Sequence, residues 1–183
     1  ETGMRATRSD IGYVYDLTVG PDGNVYFHAH SGRDGSIYRL DRDGILTAVV
    51  ERWYGWVRDF SFSADGSLYY LAVDGNDNRI VEKLGVDGRV STVLIAPRWG
   101  GSSGDGGPVA EARFNEISHL AVGPDGTLYL LDSGRIRRVG LDNIVVTVAG
   151  RGNAAPADGM RATDAYIYSY KIRLLRDGNL YFA

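Results

Sequence analysis

Apolar runs of four to seven residues, separated by polar turns, recur along the whole chain and predict many short β-strands. In the first set the strands fall over 14–19, 24–29, 36–40 and 45–50. Pro21-Asp22-Gly23 and Arg42-Asp43-Gly44 are the turns. The second set covers 57–63, 67–73, 79–84 and 90–95, with turns at Asp65-Gly66 and Asp87-Gly88. A third covers 118–122, 127–131, 135–139 and 144–149, and a fourth supplies only 171–175 and 179–183. Asp-Gly brings the positive-φ residue that a short hairpin needs. Residues 1–12 are expected to hold no strand.

The four-strand unit is repeated, and a longer period overlies it. Gly3-Met-Arg-Ala-Thr7 returns as Gly159-Met-Arg-Ala-Thr163, with Met4 and Met160 156 positions apart, and Asp22-Gly-Asn-Val-Tyr-Phe27 returns as Asp177-Gly-Asn-Leu-Tyr-Phe182. Antiparallel four-stranded units repeated at this spacing predict an all-β fold of β-propeller type, with three complete four-stranded blades and a two-stranded half blade. The blades span approximately 4–50, 51–96 and 97–150, and the half blade 151–183. Glu1-Thr2-Gly3 reads as an expression or processing scar. The first two strands of each unit are the most apolar and belong near the axis. The third and fourth, with Arg39, Glu82, Lys83, Arg137 and Arg138, are expected toward the outer edge.

Ser103-Gly-Asp-Gly-Gly-Pro-Val-Ala-Glu-Ala-Arg-Phe114, Leu120-Ala-Val-Gly-Pro-Asp-Gly-Thr-Leu-Tyr129, Arg135-Ile-Arg-Arg-Val-Gly140 and Val146-Thr-Val-Ala-Gly150 together resemble the NHL repeat. The nearest kind is that of teneurins and bacterial Rhs/YD-repeat surface proteins. The resemblance implies an NHL-type propeller in a secreted or cell-surface protein, acting as a non-catalytic scaffold or recognition module that presents inter-blade loops to a protein or glycan. It also implies an alternative, a metal-dependent enzyme similar to the lyase or lactonase propellers. The second unit departs from the pattern, with Arg52-Trp-Tyr-Gly-Trp56 in place of the glycine-rich lead-in.

Three and a half blades do not close a ring. An open fan would leave two apolar sheet faces in water, at a cost on the order of 10 kcal/mol per face if each carried about 400–600 Å². A homo-oligomer that closes the ring is therefore expected. The alternatives are that the chain is a piece of a longer protein, or an engineered or excised self-assembling fragment.

Composition removes several chemistries. The net charge of -3 offers no basic field for nucleic acid, and no apolar stretch is long enough to enter a membrane as a spanning helix. Cysteine is absent, so there are no disulfides, thiol nucleophiles or thiolate metal sites. No cofactor is expected. His28 and His30, one residue apart on a strand, point to one face and could share a zinc ion if a third ligand such as His119 joined them. Asp74, Asp77 and Asn78 are the one local oxygen cluster that invites a calcium reading, and a structural turn explains them better. Arg52, Trp53, Tyr54, Trp56, Arg98, Trp99, Tyr166 and Tyr168, in inter-blade connections, have the composition of a binding surface.

Overall fold

The computed structural model describes residues 3–8, 11–31, 34–52, 55–175 and 177–183. Its strands are β1 (Met4–Arg5), β2 (Tyr13–Val19), β3 (Val25–Ser31), β4 (Asp34–Leu40), β5 (Ile45–Arg52), β6 (Trp56–Phe62), β7 (Leu68–Val73) and β8 (Arg79–Leu84). They continue as β9 (Val90–Ala96), β10 (Ile117–Val122), β11 (Leu128–Asp132), β12 (Arg135–Val139), β13 (Val145–Ala149), β14 (Ile172–Leu174) and β15 (Leu180–Phe182). Strands β2–β5, β6–β9 and β10–β13 are antiparallel meanders, and β14–β15 is a hairpin. The fold is an all-β propeller architecture.

One element departs from expectation. Met4–Arg5 forms a strand, β1, on the outer edge of β5, with Met4 opposite Leu46. Two paired residues carry no alternation to read, so the apolar pattern could not show it. The Gly3 N–H donates to the Leu46 carbonyl (2.6 Å) and the Ala6 N–H to that of Gly44 (2.9 Å), which ties the N-terminal segment to the first sheet.

The sheets stack face to face. Tyr26, Ile37 and Val50 of the first pack on Val57, Phe60 and Tyr70 of the second. Tyr69, Leu71, Val81 and Leu94 of the second pack on Leu120, Val122 and Leu130 of the third. Ala121, Leu131 and Ile136 of the third pack on Ile167 and Ile172. Strand β7 is buried on both faces because its odd and even positions serve different neighbours, which is why Leu68–Val73 reads as a continuous apolar run.

The repeat makes each sheet a control for the others. Counting back from the turn after each inner strand, Leu17 of β2 occupies the position of Phe60, Leu120 and Ile172. Those three are 4%, 0% and 0% exposed, whereas Leu17 is 62% exposed. The face of the first sheet turned away from the second thus carries, at β2, an apolar row without a packed sheet over it.

Arg137 contradicts its expected place at an outer edge. It is 1% exposed. Its guanidinium donates to the carbonyls of Arg113 (2.6 Å) and Ser103 (2.9 Å) and to Asp105 Oδ1 (2.9 Å), and lies over the Phe114 ring. The alternate face of β12 lies beneath the glycine-rich loop, and the charge pins that loop to the sheet. Gly104 has φ +88°, and a Cβ there would stand 2.7 Å from Ala112 Cα, so the loop needs glycine at this point.

Candidate ligand site at the channel mouth

The antiparallel meander divides the loops between two rims. On one rim the hairpins between first and second strands are closed by Asp22, Asp65, Asp125 and Asp177. Each carboxylate accepts the backbone N–H two residues on, at 2.9–3.1 Å. These Asp-Gly pairs are turn chemistry, repeated because the turn is repeated. The opposite rim carries the links between second and third strands and the long connections between sheets. A cup of about 590 Å³ opens there at the axis, lined by Tyr15, Asp16, His28, His30, Trp56, Val57, Arg58, Ser118, His119 and Lys171.

The cup is made by a repeated irregularity. The pairing of β2 with β3 skips Tyr15, that of β6 with β7 skips Arg58, and that of β10 with β11 skips Ser118. These are the same position in three sheets. A bulge there inserts one unpaired residue, bends the strand and re-aims its side chain. All three bulged residues line the cup.

The position following each bulge holds Asp16, Asp59 and His119, and the equivalent position just before β14 holds Lys171. Asp16 Oδ1 receives Lys171 Nζ at 2.9 Å and Asp16 Oδ2 receives Arg173 Nη2 at 2.5 Å. Burial raises the Asp16 carboxyl, and the hydrogen bond from Lys171 and the charge of Arg173 outweigh that and hold it below the usual range. Asp59 is spent on structure: Leu120 N–H donates to its Oδ2 (2.9 Å) and Phe60 N–H to its Oδ1 (3.0 Å), joining the second sheet to the third. Burial pushes the Asp59 carboxyl up to about 7, against the opposing effects of the Leu120 N–H and Arg173.

His28 faces Asp16 across the β2–β3 pair, where the later sheets place Leu71 and Leu131. It is 3% exposed, and its Nδ1 has no hydrogen-bond partner. Tyr15 stacks on it with ring centroids 5.6 Å apart and meets His30 edge-on at 4.9 Å. His30 Nε2 lies 3.1 Å from the Val57 carbonyl. Burial pulls both His28 and His119 down to about 4, helped by His30 for the first and by Arg173 for the second. Both rings are neutral at pH 7.

The residues expected to bind are separated. Trp56 lines the cup. Arg98 stacks on Trp99 at 4.9 Å and pairs with Asp77, in the connection from the second sheet to the third. Tyr166 and Tyr168 meet edge-on at 5.5 Å beside a groove with Ser133, Gly134 and Gly150, between the third sheet and the half blade. Trp53, Tyr54 and the side chain of Arg52 lie outside the described residues. The structure does bring His28, His30 and His119 to one cup, but among the described residues no three His, Asp or Glu side chains converge as a metal site. Asp74 is occupied by the N–H groups of Asn76 and Asn78, and Asp77 by Arg79 and Arg98, which is a braced turn and not a calcium loop.

Tyr15, Asp16, Ser118 and Lys171 were not singled out from the sequence. Aligning the four inner strands on their turns would have found them, because the rows Tyr15/Arg58/Ser118/Tyr170 and Asp16/Asp59/His119/Lys171 are variable or polar beside the wholly apolar row Leu17/Phe60/Leu120/Ile172.

No protein-family model matches the chain, and no curated protein does. Among solved structures it is similar to a gluconolactonase from Xanthomonas campestris at 17% identity and TM-score 0.60, over 100% of this chain and 57% of that one. It is also similar to an auxiliary nutrient binding protein from Bacteroides thetaiotaomicron at 18% identity and TM-score 0.54, over 87% of this chain and 42% of that one. A puromycin hydrolase matches at 13% identity and TM-score 0.54, over 89% and 24%. The chain spans 57% or less of the length of each of these relatives. At these identities the likeness is one of fold, and the fold is a β-propeller.

Proposed function

We propose that the chain is a non-catalytic recognition module of NHL type in a secreted or cell-surface protein, and that the axial cup takes a glycan. One observation carries this reading: the repeat gives up its own packing rule at the cup and nowhere else along that row. A buried histidine stands where two sister sheets have leucine, and three bulges turn Tyr15, Arg58 and Ser118 toward the same mouth. Sugar rings present apolar faces and many hydroxyls. Trp56 and Tyr15 suit the faces, and neutral imidazoles and Ser118 suit the hydroxyls. A glycan array probed with the labelled chain tests it. Binding that falls at least about tenfold in Trp56→Ala is the expected result, and an array with no bound glycan would remove the reading.

A second reading is supported by the fold likeness to a gluconolactonase and a hydrolase. In it the cup is an active site for a lactone or similar ester. Asp59 has the protonation of an acid–base group, yet at 1% exposure, with both oxygens receiving N–H groups, it cannot meet a substrate. Turnover of a sugar lactone, abolished in His119→Ala, would favour this second reading over the first.

A further inference from the structure

The charge inventory of the cup narrows the ligand class, on the footing that the cup binds a glycan. Among its lining residues Arg58 and Lys171 are cations, and Asp16 is the single carboxylate. Lys171 and Asp16 neutralise one another, and Arg173 adds a second cation to the same carboxylate. Arg58 has no carboxylate within ion-pair distance among the described residues, because the nearby acids are already engaged: Glu116 with Arg79 at 3.0 Å, and Asp77 with Arg79 and Arg98.

An arginine displayed on a bulge, beside an aromatic wall and without an ion-pair partner among the described residues, is a donor fork suited to an anion. His28 and His119 do not provide that charge, since burial holds both rings neutral near pH 7.

We propose that the cup selects an acidic sugar, with Arg58 receiving the carboxylate, Trp56 and Tyr15 facing the ring, and His28 and His119 meeting its hydroxyls. Lys171 and Asp16 form the floor and fix how deep the sugar enters. An acidic peptide would satisfy Arg58 equally well. It would leave the imidazoles of the cup facing a chain that carries few hydroxyls.

Calorimetry at pH 7 with three probes tests this: trigalacturonate, its carboxyl-reduced counterpart and a tetraglutamate peptide. Trigalacturonate should bind at least about tenfold more tightly than the reduced sugar, with the preference falling as salt rises. Arg58→Gln should erase the preference, its loss falling on trigalacturonate far more than on the reduced sugar. His28→Leu, which restores the residue of the sister sheets and so keeps the fold, should weaken both sugars. Equal binding of the two sugars, or a preference that survives Arg58→Gln, overturns the acidic-sugar inference and leaves glycan recognition standing. Tetraglutamate binding with neither sugar bound overturns both, as does a cup that binds none of the three.

Discussion

Asp16 and Lys171 lie 155 residues apart in the chain and 2.9 Å apart in the structure, where one carboxylate of the first inner strand meets the cation of the last across the axis. The pair joins the two ends of the fan through the channel although their sheets do not pack on each other. Because Lys171 is partly exposed, the pair contributes little stability, under about 1 kcal/mol. Lys171→Met should therefore lower the urea midpoint only slightly while changing ligand affinity. A large loss of stability would mean that the ion pair closes the fold and does not merely floor the cup.

Protonation should set opposing trends. His28 titrates at about 4 in the folded chain and near 6.5 unfolded, so the unfolded state binds more protons between these values and stability falls as pH drops through that window. The loss is about 3 kcal/mol at most for a fully buried ring. Asp59 is raised to about 7, so its contribution is complete below about pH 4 and is lost as pH rises toward 7 and above. The two slopes oppose one another over the same window, so in denaturation at a series of pH values His28→Leu should leave stability falling as pH rises from about 4 to 7, and Asp59→Asn should leave it rising.

Arg137 is the most consequential buried charge. Its removal takes from Asp105 the nearer of two cations, leaving Arg151 at 3.7 Å, and leaves Asp132, 3.7 Å away and fully buried, without an ion-pair partner among the described residues. Arg137→Met should cost about 3–5 kcal/mol, read as a shift in denaturation midpoint, and should expose the 103–113 loop to protease. An effect under about 1 kcal/mol would show that the loop holds itself.

The row Val14, Leu17 and Val19 should drive association. Its counterparts in the next two sheets are covered by a neighbouring sheet, apart from a partly buried Phe62, and a second copy is the partner available in a solution of this chain alone. Sedimentation should show mass rising with concentration, and Leu17→Glu should reduce it. A chain that is monomeric at every concentration would remove ring closure by a second copy.

Alternation and Asp-Gly turns made the sheets legible, because a strand between two such turns has few alternatives. Each of the main sheet strands lies within a few residues of its expected span. The cup was less legible. His28 and His30 stood out as imidazoles, and Trp56 as an aromatic. Tyr15 and Lys171 did not, because a bulge leaves no mark in a hydrophobic pattern and an ion pair between residues 155 positions apart leaves none in local spacing. Arg137 was misplaced for a related reason, since a long charged side chain on a strand looks like surface until a loop is laid over it.

The recurrent bulge carries a consequence for how such a mouth could diversify over generations. Arg58 and Ser118 stand outside the core clusters, and Tyr15 packs on His28 and His30 at the cup itself, so exchanging any of them would alter what the opening admits while leaving the layers between sheets in place. Three independently replaceable letters around one aperture give selection a short alphabet for re-addressing the same scaffold, while the turns on the far rim stay as they are.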